Sequence, residues 1–390
     1  MKRALLATLL LGLVANACKT TPDYGNPLDE GAPALLPLGP TDKLPDFSQQ
    51  WKQRDQLLPA LENSLAWTRR EHARQFFPIA GIDHGRALAS LERFHELLSA
   101  SYGPDDFQES IEKEFQVYKS AGWNGRGGGV LFTAYCTPIL RGSLQPDEEF
   151  RYPLFSLPPD LVKGRDGGVL GWDSPRGRLP QYPARGAIEA SGMLAGRELV
   201  WLADPIDAYV AHVNGSAFVE LADGTLFRVG YAGKNGRPYT SLGKELESDG
   251  VIPRGKASLR TIRAWAATAP PEVLRDYLGR NQSFVFFAPI EDNPHGSLDV
   301  EVTSGRSLAT DKALFPRGAL VFAAGPSEEP TGNRFLFDQD TGSAIRTAGR
   351  ADLYLGIGAE SEEIAGNTKF EGQLYYLFLK SEPDPVDGLE

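Results

Sequence analysis

FDQDTGSAIRTAGRADLYLGIG, from Phe337 to Gly358, is the stretch from which the rest of the chain can be read. Two of its three aspartates can be argued to matter, and their settings differ. Asp340 sits in a Gly/Thr turn, and Asp352 closes a step from basic to apolar residues, Arg350-Ala351-Asp352-Leu353-Tyr354. Between them Ala344-Ile345 is a short apolar segment, so a strand and a return would bring both carboxylates to one rim. An aspartate after a strand is more often a turn former or cap than a catalyst, so the pair is a site only if a groove is built around it.

Outward from this stretch, strand signals dominate. Ala319 to Ala324 is a fully apolar strand; Ser283–Phe287 and Ser297–Val302 read as strands before it, and Leu374–Leu379 closes the fold after a helical turn expected at 364–369. Upstream, Val130–Tyr135 is an apolar run with β-branched and aromatic residues, delivering Thr133 and Tyr135 to a surface. The glycines before it, Gly127 to Gly129, lack the Lys-Ser/Thr of a phosphate loop and read as a turn. Residues 141–284 carry many short strand candidates. Ala208–Val213, Ser216–Leu221 and Thr225–Tyr231, separated by Asn214-Gly215 and Asp223-Gly224, predict a three-strand meander within a small antiparallel barrel or curled sheet. A helical interval follows from Ser258 to about Leu278, restarted at Pro270-Pro271. From Gln50 to Ser101 the pattern is helical, with Leu88, Leu91, Phe94, Leu97 and Leu98 on one stripe.

Composition sets the bounds. At 390 residues and 41% hydrophobic content the chain can bury a sizeable core. A net charge of −11 argues against nucleic acid as a partner and is compatible with a neutral polymer. The five histidines are scattered without paired ligand spacing, so neither a metal nor another cofactor is expected. Lys2-Arg3, the apolar run Leu5–Val14 and Ala15-Asn16-Ala17 form an export signal whose apolar part is too short to span a bilayer. Cys18 follows directly, as in a bacterial lipobox, although Ala15 and Asn16 depart from its usual residues. A lipid on Cys18 would anchor the chain to a membrane, and Lys19 after it leans towards the outer membrane. Cys136 would then be the only cysteine left, so no internal disulfide forms. Residues 20–47, rich in Pro, Gly and Asp, read as a tether.

A series of stretches in order resembles the membrane-bound lytic murein transglycosylase A family with its C-terminal three-aspartate domain. They are Phe132–Tyr135, Tyr182–Arg185, Asp204–Asp207, Asn214–Ser216, Tyr231–Gly236, Asn281–Ser283, Val285–Phe287, Gly305–Ala309 with Asp311, Gln339–Gly342, Ala344-Ile345 and Arg350–Gly356. The departures are Cys136 in place of a second tyrosine, Asn214 where glutamine is usual, and Ser343 and Thr347 in place of glycine. The resemblance implies a mainly β fold with peripheral helices: a double-psi β-barrel interrupted by a second β-domain, with glycan in the groove between. The boundaries expected are 1–18 for the signal, 19–47 for the tether, 48–140 plus 286–390 for the catalytic barrel with its N-terminal helices, and 141–285 for the inserted substrate-binding domain.

The resemblance also implies a reaction, cleavage of the β-1,4 bond between N-acetylmuramic acid and N-acetylglucosamine with formation of a 1,6-anhydromuramyl end. A hydrolase needs two carboxylates. Here the substrate's C6 hydroxyl is the nucleophile, so one carboxyl group can serve as acid and then base. Such a group must enter protonated, which burial and apolar neighbours favour. Asp352 has that setting and aligns with the family's acid/base residue. Asp340, among polar neighbours, reads as its ionised support, and Asp311 as a structural residue. Thr133, Tyr135, Asn214 and Ser216 are the candidate sugar contacts, and the expected partner is the peptidoglycan strand, bound by a monomer. Two other readings stay open: a glycan-binding lipoprotein without turnover, and a hydrolase using Asp340 and Asp352 together.

Overall fold

The computed structural model describes residues 22–164, 168–174, 177–326 and 332–381. The export signal and Cys18 lie outside the described residues. Before the barrel closes, the chain forms β1 (Leu35–Pro37), α1 (Arg54–Thr68), α2 (His84–Ala100), α3 (Pro104–Glu114), β2 (Phe115–Ser120) and β3 (Val130–Thr137). It then departs through β4 (Ile139–Ser143), β5 (Tyr152–Phe155), β6 (Leu161–Lys163), β7 (Val169–Ser174), β8 (Gly177–Leu179), α4 (Arg185–Ser191), β9 (Glu198–Leu202) and α5 (Pro205–Asn214). The same excursion continues with β10 (Ala217–Glu220), β11 (Leu226–Lys234), α6 (Leu242–Ser248), α7 (Leu259–Ala266), α8 (Pro271–Arg280) and β12 (Val285–Pro289). The chain returns in β13 (Ser307–Ala309), β14 (Leu320–Ala324), β15 (Arg334–Asp340), β16 (Arg350–Ile357), α9 (Ala359–Asn367) and β17 (Lys369–Leu379).

Strands β17-β14-β15-β13-β16-β3 follow one another, and β17 pairs back onto β3, closing a six-stranded barrel. Closure works because β17 is eleven residues long: Lys369–Gly372 pair with β3 and Gln373–Tyr376 with β14, while Tyr375–Leu379 also pair with β2 outside the barrel. Parallel pairs β13–β15 and β16–β3 give the double-psi topology. Val130, Phe132, Leu308, Val321, Leu336, Ala351, Leu353 and Tyr376 fill the interior. Leu320, Phe322, Phe335 and Phe337 point the other way, onto Leu57 and Leu61 of α1, Leu91 and Phe94 of α2 and Phe107 of α3. With both faces covered, β14 reads as an unbroken apolar run rather than an alternating one. The stripe expected on α2 is this contact, with Leu91, Phe94, Leu97 and Leu98 buried and Leu88 at its edge.

The inserted region is a sheet of order β12-β11-β10-β4-β9-β5, with a bridge from Ser156 to Phe287 curling its far edge back, plus the small sheet β6-β7-β8. Four expectations change. Ala208–Val213 is part of helix α5, not a strand. Asp204 caps its start, accepting from the Ile206 N–H at 2.7 Å, Pro205 takes the first turn, and Gly215 ends it in the left-handed region at φ 77°. The meander is therefore a single hairpin, β10–β11, turned at Asp223-Gly224. Residues 297–302 form a turn with one bridge, His295 to Glu301, while Leu298 and Val300 pack on Trp67; burial alternates there without a ladder. The helical turn expected at 364–369 begins earlier, as α9. Finally, the stretch read as a tether contributes β1, whose Leu35 and Pro37 pair with Ser120 and Tyr118, and Phe47 is fully buried among the α1–α3 side chains.

Candidate active site

Strand register places the two aspartates in one row. Ala309 of β13 pairs with Asp340 of β15 on one side and with Asp352 of β16 on the other, and Asp352 pairs with Thr133 of β3. Two strand spacings, roughly 10 Å, thus separate the aspartate backbones. The strand expected between them in sequence is a turn, in which the Ile345 N–H bonds Gly342 O; the strand between them in space is β13.

Period two does the rest on β3. Thr133 and Tyr135 share a face: Thr133 Oγ1 donates to Asp352 Oδ1 at 2.6 Å, and the Tyr135 hydroxyl donates to Asp340 Oδ2 at 2.5 Å. Asp340 also accepts the backbone N–H of Ser297 and of Thr341 on Oδ1, each at 2.8 Å. The Ser297 turn reaches it because Gly296 has no side chain; an added Cβ would lie 2.7 Å from Gln339 O. Among the described residues, Asp340 has both oxygens engaged, whereas Asp352 has a single donor, Thr133, and an open Oδ2.

Burial pushes Asp352 up to about 6, with the negative Asp340 adding to the rise and Thr133 and Arg350 opposing it. Burial also raises Asp340, but Tyr135, the two backbone donors and the Lys312 cation all pull it back towards the ionised form. Lys312 itself is buried in an ion pair with Asp338, which also accepts from Thr310 and Tyr376.

Tyr135, Asn214, Tyr239, Asp340, Thr341 and Asp352 line a cleft of about 100 Å³. It runs into a larger groove of about 400 Å³ through Tyr135, Val213, Asn214 and Tyr239, which line both. One wall of that groove is α5, α6 and α7 of the insert, and the other includes Glu362 of α9 and Lys369 of the barrel. Charged side chains link the walls: Arg263 of α7, paired with Asp207 of α5 on its own wall at 2.5 Å, reaches Glu362 across the groove at 3.4 Å, and Lys234 of β11 donates to Ser343 beside the Asp340 turn at 3.3 Å. Asn214, as the last residue of α5, stands at the junction of cleft and groove.

The expected residues separate into groups. Asp340, Asp352, Tyr135 and Asn214 come together in the cleft. Thr133 is spent on Asp352. Ser216 lies apart, buried and within 3.0 Å of Thr137, whose hydroxyl also meets Tyr354 at 3.2 Å; this chain of hydroxyls ties the insert to β3 and β16. Asp311 accepts the N–H groups of Ala313 and Thr347 and so fixes the loop before β16. Thr347 holds φ 75°, and its hydroxyl donates to Tyr24 O at 2.7 Å. Cys136 is buried, with its thiol pushed up to about 12 by burial, which leaves it unreactive. Sequence reading missed Tyr239 and the roles of Arg350 and the Ser297 turn. Tyr239 lies three residues past the Tyr231–Gly236 stretch, and nothing in its spacing announces that it reaches the aspartates.

Residues 131–288 match the family model described as the MltA specific insert domain, and residues 306–378 match the 3D domain. The membrane-bound lytic murein transglycosylase A of Vibrio cholerae is 33% identical over 271 residues, 67% of this chain and 69% of that protein. The Escherichia coli enzyme of the same name is 31% identical over 259 residues, covering 64% and 66%. In structure, a membrane-bound lytic murein transglycosylase from Agrobacterium tumefaciens superposes with a TM-score of 0.73 at 26% identity, over 89% of this chain and 98% of that one. The Escherichia coli protein crystallised with bound chitohexaose shares the fold, with a TM-score of 0.65 at 24% identity over 93% and 96%. An interrupted double-psi barrel, two aspartates in one row of it and matches along both parts of the chain agree: the protein belongs to the membrane-bound lytic murein transglycosylase A family.

Proposed function

We propose that the protein is a lytic transglycosylase of peptidoglycan, with Asp352 as its single acid and base. Asp352 gives its proton to the glycosidic oxygen as the bond from C1 of N-acetylmuramic acid breaks. The C6 hydroxyl of the same sugar then bonds C1, its proton returns to Asp352, and no water is consumed. The observation that carries this reading is the unequal treatment of the two carboxylates. Burial raises both carboxyls, but Asp340 has three donors and the Lys312 cation favouring its ionised form, whereas Asp352, with one donor and a pKa raised to about 6, is able to carry and release a proton. Of the two carboxylates, only Asp352 has an oxygen without a donor among the described residues.

On this reading the barrel (48–140 with 286–390) carries the chemistry and the insert (141–285) supplies the other wall of the glycan groove, with Asn214 and Tyr135 contacting sugar. Thr133 orients the acid, and Ser216 braces the insert. The substrate is the glycan strand of the cell wall, the protein acts as a single chain, and lipid on Cys18 holds it to the periplasmic face of the outer membrane.

Incubation with purified sacculi tests the proposal. Wild-type protein is expected to release muropeptides with 1,6-anhydromuramyl ends, and Asp352→Asn none while still folding. Products carrying an added water would identify a hydrolase, binding without soluble products a glycan-binding protein, and undiminished release by Asp352→Asn would remove Asp352 from the chemistry.

A further inference from the structure

Arg350 stands two residues before Asp352 on β16. It is partly buried, its Nε is inaccessible and has no hydrogen-bond partner, and among the described residues no carboxylate lies within 4.0 Å of it. A buried cation without an ion pair costs several kcal/mol in general. Among the described residues its side chain makes one hydrogen bond, to the site: Nη2 donates to Thr133 Oγ1 at 3.4 Å.

A guanidinium can only donate, and a threonine hydroxyl has one proton. With Arg350 donating to Thr133 Oγ1, that proton is free for one acceptor, and Asp352 Oδ1 lies 2.6 Å away. In a neutral carboxyl the carbonyl oxygen is the stronger acceptor, so a hydrogen bond committed to Oδ1 favours the carboxylic proton on Oδ2. We propose that Arg350 is a positioning residue acting through Thr133: it commits the threonine proton to Asp352 Oδ1, so that the acid proton of Asp352 resides on Oδ2. This rests on the transglycosylase reading and specifies which oxygen does its chemistry. The groups facing Asp352 are Thr133 and Tyr135 from β3, Asp340 at the end of β15, Tyr239 from the insert, and Arg350 on its own strand. Lys369 of β17 pairs with Thr133 but is exposed.

The sign of the effect follows. Arg350 and Thr133 both favour ionised Asp352, so losing either raises the pH at which the acid deprotonates. The test compares wild type, Arg350→Gln, Arg350→Lys, Thr133→Val and the Arg350→Gln/Thr133→Val double variant, each checked for folding by circular dichroism. Release of anhydromuropeptides at saturating sacculi is followed against pH, and the Asp352 carboxyl is titrated by ¹³C NMR of labelled aspartate.

Arg350→Gln is expected to move the alkaline limb and the carboxyl titration to higher pH and to slow release on the order of tenfold at its optimum, a part of what general acid catalysis supplies. Arg350→Lys, which keeps the charge, should leave the limb near that of wild type. In the Thr133→Val background, Arg350→Gln should slow release little further. An unmoved limb and titration in Arg350→Gln, or losses that multiply in the double variant, would overturn the inference. Failure of the underlying reading looks different: wild type then yields no anhydro products, while the NMR titration still reports whether Arg350 acts on Asp352.

Discussion

Replacing Asp352 with asparagine should stabilise the protein at neutral pH while abolishing turnover. The carboxyl is raised from its ordinary 3.8 to about 6, chiefly by burial. The folded state therefore holds the proton more tightly than the unfolded chain does. The stability tied to that proton is fully present below 3.8 and is lost as pH rises through about 6. A shift of roughly two units at 1.36 kcal/mol each amounts to about 3 kcal/mol given up at pH 7. Asparagine has no charge to desolvate, and its Oδ1 can still accept the Thr133 hydroxyl that now lies 2.6 Å from the aspartate. Asp352→Asn should thus gain about 3 kcal/mol at pH 7 and less than about 1 kcal/mol at pH 4. For a chain of this length melting as one unit, the gain corresponds to a rise in Tm on the order of 3 °C. Guanidinium unfolding at pH 4 and pH 7, with wild type and variant side by side, measures it. Equal stability at pH 7, or the same gain at both pH values, would refute the argument that burial is what raises the acid.

Tyr135→Phe keeps the ring against Tyr354 but removes one of the donors to Asp340, so anhydromuropeptide release should fall by roughly tenfold or more with the fold unchanged, since hydrogen bonds to a charged group contribute about 1.5–3 kcal/mol. Lys312→Met leaves Asp338 buried without its cation and should cost about 3–5 kcal/mol in chemical denaturation. Asn214→Ala should weaken release from sacculi, whereas Ser216→Ala should lower Tm and leave the rate per folded molecule intact, because Asn214 lines the cleft and Ser216 is buried against Thr137.

Helices α1, α2, α7 and α8 were legible because their signals are local. Asp83 caps α2, Ser258 caps α7 together with Thr261, and Pro271 opens α8, each detectable within one turn of sequence. The error at residues 208–213 has a local cause as well. Its β-branched and aromatic residues match a strand, and Asn-Gly matches a hairpin, yet Asp204-Pro205 before it and Gly215 after it are also the caps of a helix. Ile206, Tyr209 and Val210 settle the choice by packing on Leu246 and Tyr277, residues far along the chain. At 297–302 the alternation was real, but it reflects burial against Trp67 and not a ladder.

Sequence alone determined that Asp340 and Asp352 differ, because Gln-Asp-Thr-Gly and Arg-Ala-Asp-Leu-Tyr set polar and apolar surroundings through directly bonded neighbours. Motif order, through the family resemblance, also implied an insert at 141–285 between two parts of a barrel. Only the tertiary structure decided what the two carboxylates do to each other. Ala309 stands between them in register, Thr133 and Tyr135 divide their hydroxyls between them, and the Ser297 turn closes over Asp340. These partners come from segments up to 219 residues away in the chain. A pKa depends on the charges, donors and solvent within a few ångströms of the group, and barrel closure alone brings those segments to that distance.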